Sequence, residues 1–156
     1  MDITEICAYL HNYFPPLKQK TDKSYIHSGT FVISGQSVTP LDFIKTDQYF
    51  RIYGSDFNDG VYRNSPESLS QLKDEIFDGE IHLMAVPSAF LKLCEDINVW
   101  RKKNESADST NMSPFISESF GGYSYSKTGG KTGSNGGNTV TWQEQFEKRL
   151  NIWRKI

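Results

Sequence analysis

Between residues 121 and 137 the chain places seven of its twelve glycines, interspersed with Ser, Thr, Lys and Asn and with almost nothing that could fill a core. The backbone entropy of such a tract cannot be offset by burial within one subunit. Aromatic residues nonetheless stand on both sides of it. Phe120, Tyr123 and Tyr125 lie at its entrance; Trp142, Phe146, Leu150 and Trp153 follow it. Rings flanking a flexible tether point to a protein that docks on neighbours rather than to a closed catalytic globule.

The remainder reads as one domain with a core. From Ile3 the apolar positions Ile6, Cys7, Leu10, Tyr13 and Phe14 follow the spacing of one helix face, with Asp2 and Glu5 as a capping pair and Pro15-Pro16 as the stop. The period then changes. Residues 30–38 and 48–53 are β-branched and aromatic, Gly35, Gly54 and Asp59-Gly60 are turn signals, and Val61-Tyr62 reads as a returning strand. Alternation along 48–53 sets Phe50 and Ile52 on one face and Tyr49, Arg51 and Tyr53 on the other.

Ser65 before Pro66 marks the start of a short helix carrying Leu69 and Leu72. Residues 80–86 are open between an extended segment and the run-in to the next helix. That helix opens at Pro87-Ser88 and carries Phe90, Leu93, Cys94, Ile97, Trp100 and Arg101 on one stripe. Residues 104–113 are polar and read as a loop. Thr141 with Glu144 forms a capping box for a last helix with Phe146, Leu150 and Trp153 on its apolar face. The expected fold is therefore α+β: two to three helices packed on a small antiparallel sheet, with an extended Gly-rich C-terminal arm ending in a helix. The expected boundary separates an α+β core domain, 1–113, from an interaction arm and helix, 114–156.

Motifs for chemistry are weak. Gly130-Lys131-Thr132 has the ending of a phosphate-binding loop, but the earlier glycine it needs falls on Tyr125 and no apolar strand leads in. Residues 56–60 are too short for a calcium loop, lack its closing glutamate, and read as a hairpin turn. His11, His27 and His82 show no metal-ligand spacing, and neither Cys7 nor Cys94 carries the local signature of a thiol nucleophile. No catalytic residue, metal or cofactor is expected, and the chain is read as a non-enzyme. A net charge of -2 and a pI near 5.9 argue against a dedicated nucleic-acid binder. Lys127, Lys131, Lys148, Arg149, Arg154 and Lys155 nevertheless make the C-terminal region locally basic, which leaves contact with an acidic protein surface or DNA phosphate open. The acidic N-terminus and short apolar runs give no signal peptide or membrane span, so a cytoplasmic site of synthesis is expected.

The run Ser117-Glu118-Ser119-Phe120-Gly121-Gly122-Tyr123-Ser124-Tyr125, with the N-terminal helix and the helix from Pro87, resembles head-tail connector (adaptor, or neck) proteins of tailed bacteriophages. In that family a Ser-Glu-Ser-like run precedes a Gly-Asp-Tyr-Ser or Gly-Gly-Tyr-Ser element, in an arm that packs between subunits or on the portal. Residues 48–55, 58–62 and 142–156 are similar to small head-assembly proteins of the same kind of phage. The resemblance covers about a third of the chain. It implies a structural protein of the virion neck, between capsid and tail, assembled in the bacterial cytoplasm. Its implied partners are the portal protein, a stopper or tail-completion protein, and copies of itself in a homo-oligomeric, twelve-fold ring, with non-specific contact with packaged DNA allowed and no membrane. The partner-binding residues it implies are Phe120, Gly121, Gly122, Tyr123, Tyr125, Trp142, Trp153 and Arg154. Such adaptors are mainly helical, whereas residues 24–63 here read as β-structure. A head-completion stopper, often β-rich, is therefore the competing neck position, and a DNA-binding accessory protein is the alternative from another class.

Overall fold

A computed structural model describes residues 3–16, 21–105, 117–120, 123–126 and 140–155. Asp2, Gly121, Gly122 and the phosphate-loop-like Gly130-Lys131-Thr132, together with most of the glycine-rich arm, lie outside the described residues. Among the described residues the fold is α+β, with four helices and a curled sheet of five antiparallel strands. In chain order the elements are α1 (Ile3–Leu10), β1 (Ile26–Ser34), β2 (Ser37–Thr39), β3 (Tyr49–Tyr53), β4 (Gly60–Arg63) and α2 (Pro66–Leu69). They continue with β5 (Glu75–Leu83), α3 (Ser88–Asn104), β6 (Ser117–Phe120), β7 (Tyr123–Ser126) and α4 (Trp142–Asn151). The chain divides into two units, residues 2–91 with 155–156, and residues 92–154.

In the first unit the strand order is β2-β1-β5-β3-β4, so β5, late in sequence, is the central strand. It pairs with β1 from Ile26↔His82 to Ile33↔Glu75, and with β3 from Phe50↔Leu83 to Tyr53↔Glu80. Side chains alternate across a strand, so Phe31, Ile33, Phe50, Ile52, Phe77 and Ile81 share the inner face. They form one buried cluster with Val38, Ile44 and Leu72. Burying each such large side chain contributes about 1.5–3 kcal/mol. The expected split of Phe50 and Ile52 from Tyr49, Arg51 and Tyr53 holds.

Residues 30–38, read as β-structure with Gly35 as a turn signal, lie in the β1–β2 hairpin, and Gly35 is in its turn. Gly35 (φ 56°) and Gln36 (φ 67°) both take positive φ between Ser34 and Ser37, the two-residue geometry that matches strand twist. Helix α1 ends at Leu10, short of the expected Phe14. His11 adopts φ 52° and donates its N–H to the Ala8 carbonyl (3.1 Å), while Asn12 N–H reaches Cys7 (3.1 Å). This left-handed cap satisfies the last carbonyls and turns the chain away, although Tyr13 and Phe14 keep the helical spacing. Helix α2 starts as expected, with the Ser65 hydroxyl accepting from Ser68 N–H and Pro66 in the first turn.

The loop joining β3 to β4 is a hairpin connection with a polar core. Asn58 is 1% exposed. Its Nδ2 donates to the Lys73 carbonyl (2.9 Å) and to Glu75 Oε2 (2.8 Å), its Oδ1 accepts from Lys73 N–H (2.8 Å), and its own N–H donates to Ser55 Oγ (2.7 Å). The Ser55 hydroxyl donates to Glu75, and Asp56 N–H donates to Glu75 Oε1 (2.9 Å). Desolvation pushes the Glu75 carboxyl up, but the bonds from Ser55, Asp56, Asn58 and Phe57 prevail and hold it below the ordinary carboxylate value.

Candidate interaction site

The residues 117–126, expected as an arm, contain a β-ribbon. β6 and β7 pair antiparallel, with Ser117↔Ser126, Glu118↔Tyr125, Ser119↔Ser124 and Phe120↔Tyr123 opposite one another. Because alternate residues of a strand share a face, this register places positions 118, 120, 123 and 125 on one face and four serine positions on the other. Two residues, Gly121 and Gly122, separate the strands; they lie outside the described residues. The ribbon is hydrogen-bonded to no third strand among the described residues. Two-stranded ribbons are marginally stable alone in water, so a ribbon of this kind gains from any surface that covers it.

The terminal helix behaves differently. Thr141 and Glu144 form the expected capping box: Thr141 N–H donates to Glu144 Oε2 (2.9 Å) and Glu144 N–H to Thr141 Oγ1 (3.3 Å). The Thr141 backbone and side-chain bonds hold the Glu144 carboxyl below its ordinary value. Within the second unit α3 and α4 run antiparallel. Arg149 pairs with Asp96 (2.7 Å), Trp100 meets Phe146 edge-on with centroids 6.3 Å apart, and the Arg101 guanidinium lies 6.0 Å from the Trp142 ring. Trp142 is only 3% exposed and Leu150 is buried. Trp142 is thus spent on packing within the chain. Trp153 is half-buried and Arg154 exposed. Lys155 N–H donates to the Leu10 carbonyl (3.0 Å), tying the end of the chain to the last turn of α1.

The three histidines do not gather. His27 stacks on Phe43, with centroids 3.8 Å apart, while His82 points to the opposite face of the sheet and bonds Glu80 Oε2 (2.6 Å). Among the described residues no group of His, Cys, Asp and Glu is arranged to hold a metal ion. Asn58 and Asp59, part of the calcium-loop-like run, have their side chains engaged within the protein, Asn58 with Lys73 and Glu75 and Asp59 accepting from Gly54 N–H (3.2 Å). No described helix is long and apolar enough to cross a membrane.

Sequence reasoning assigned no binding site to the sheet, yet its outer face carries a polar and aromatic cluster. Arg51 lies between Tyr13 and Tyr53, and His82 lies beside Tyr53 and Tyr25. The alternation in 49–53 was the available signal, since it puts an arginine between two tyrosines on one strand face. Comparison with protein-family models, curated proteins and solved structures found no match.

Proposed function

We propose that the protein is a structural head-tail connector of a tailed bacteriophage, forming a ring of identical subunits on the portal and joining the DNA-filled head to the tail. The observation that carries this reading is the β6–β7 ribbon. It sits within the stretch that resembles the connector family, and its register gathers Phe120, Tyr123 and Tyr125 on one face. A short ribbon makes a modest contact, and ring closure makes many such contacts act together. In this reading Trp153 and Arg154 add contacts from the chain terminus, while Trp142 supports the helix that presents them.

One feature favours a second neck position. The five-stranded antiparallel sheet makes the first unit β-rich, as head-completion stoppers often are. Imaging of particles that carry a tagged copy separates the two: a layer directly on the portal supports the adaptor, and a layer one step further from the head supports the stopper. A tag absent from the neck refutes both. Replacing Tyr123 and Tyr125 together by alanine should leave the isolated protein folded and abolish its incorporation into particles. Unchanged incorporation would overturn the role given to the ribbon.

A further inference from the structure

Arg51 occupies the middle of β3, an interior strand, on the face opposite Phe50 and Ile52. Its guanidinium carbon lies 3.9 Å from the centroid of the Tyr13 ring and 4.9 Å from that of Tyr53. Cation–π stacking of this kind fixes the plane of the guanidinium without using its N–H donors. Other arginines in the described residues are matched differently: Arg63 pairs with Asp47, Arg101 with Glu105, and Arg149 with Asp96. Arg51 has no carboxylate partner among the described residues, and its Nε is buried without an acceptor. His82, directly across the strand pair, does not supply one, because it is engaged by Glu80.

We propose that Arg51, held between Tyr13 and Tyr53, is a recognition site for a single carboxylate presented by a partner protein. A guanidinium fork matches the two oxygens of a carboxylate in one plane, and tyrosine stacking removes much of the freedom that binding would otherwise freeze. Charge decides against a polyanion. β1, β3 and β5 contain no lysine and no arginine besides Arg51, while Asp78 and Glu80 lie on the same face. A phosphate backbone would meet those two acids at every approach. A single carboxylate brings one charge to the guanidinium, where a phosphate backbone brings a line of them past both acids. Tyr53 is 49% exposed beside the site, and further along the face the cross-strand pair Val32 and Ile76 is exposed, Ile76 by 71%.

The site is tested on the full chain by following the Arg51 Nε–Hε resonance in NMR titrations. The probes are acetyl-Gly-Phe-Glu-Tyr-Gly-amide, its Gln counterpart, and inorganic phosphate. The expected result is a saturable shift with the Glu peptide and affinity for the Gln peptide weaker by about tenfold or more, the ratio equivalent to one charge-assisted contact. Arg51→Lys, which keeps the charge and loses the fork, should reduce Glu-peptide affinity to that of the Gln peptide. Should that variant fail to fold, Tyr53→Leu at its exposed position should weaken binding of the Glu peptide more than of its Gln counterpart. Equal affinity for both peptides, no shift with either, or phosphate binding as tightly as the Glu peptide would each overturn the proposal. Particle assembly does not enter the measurement, so its failure leaves the connector reading standing.

Discussion

Gly79 in the centre of β5 is the position where one added carbon should do the most damage for its size. A Cβ there would lie 2.4 Å from the Tyr53 carbonyl oxygen on β3 and 3.0 and 3.1 Å from two ring atoms of Phe77. A carbon approaches a carbonyl oxygen no closer than about 3.3 Å without strain, so β5 and β3 must part by about 0.9 Å. Separation on that scale takes neighbouring ladder hydrogen bonds out of range. Losing about two of them at ~1 kcal/mol each, with ~1–3 kcal/mol of strain against Phe77, is opposed by ~0.4–1 kcal/mol from the stiffer unfolded chain of Ala. Gly79→Ala should therefore destabilise by about 2–4 kcal/mol, or lower Tm by about 5–15 °C for a chain of this length. Urea unfolding followed by circular dichroism measures it, with Ile76→Ala on the exposed face of the same strand as the control, expected within ~0.5 kcal/mol. A Gly79→Ala loss no larger than that of the control would refute the close approach of β5 to β3.

Asn58→Ala leaves the Lys73 N–H and carbonyl without their buried partner and should cost about 2–4 kcal/mol in the same assay; Asn58→Asp sets a second carboxylate against Glu75 and should be no better. Because the folded Glu75 carboxyl is held below its ordinary value, its contribution is present above the unfolded carboxylate pKa and is lost as pH falls through the folded one. The stability gap between the protein and Glu75→Gln, measured by urea melts from pH 7 downward, should therefore shrink in acid. The Cys94 thiol is pushed up to about 12 by burial, so iodoacetamide at pH 8 should leave Cys94 unmodified in the folded protein and alkylate it once urea unfolds the chain, as read by mass spectrometry.

The helices were legible because their signals are local. Ser65-Pro66 and Thr141 with Glu144 cap the helices they announce, and the stripe from Phe90 to Ile97 is buried as its spacing requires. The central strand was legible only in part: residues 80–86 are open to an extended reading, but the first half of β5 gives no strand signal, with Asp78-Gly79, a turn-like pair, in the middle of the strand. Gly79 stands there because the Tyr53 backbone leaves no room for a side chain, a reason that exists only once the strands are paired. Asn58 shows the same dependence. It has the composition of a turn residue, and its burial follows from partners at Lys73 and Glu75, the latter on the unread half of that strand. At α1 two local rules compete: the apolar spacing runs on to Phe14, but His11 tolerates a left-handed conformation and the cap stops the helix first.

The candidate site divides along the same line, and this decides how it should be probed. The sequence presents the rings after residue 117 as one arm, yet Trp142 and Leu150 are buried and α4 lies along α3 through Arg149–Asp96 and Trp100–Phe146. Removing residues 140–156 would strip the cover from Trp100 and leave Asp96 without its partner, so loss of assembly in such a truncation would report damaged packing rather than a missing contact. Tyr123 and Tyr125 are free of that ambiguity in one respect: they stand on a two-stranded ribbon outside the five-stranded sheet, so the ladder that holds the first unit together does not run through them. A substitution there that keeps the melting curve and loses assembly isolates recognition from folding; one that lowers both would make the ribbon part of the fold and remove it from the list of docking surfaces.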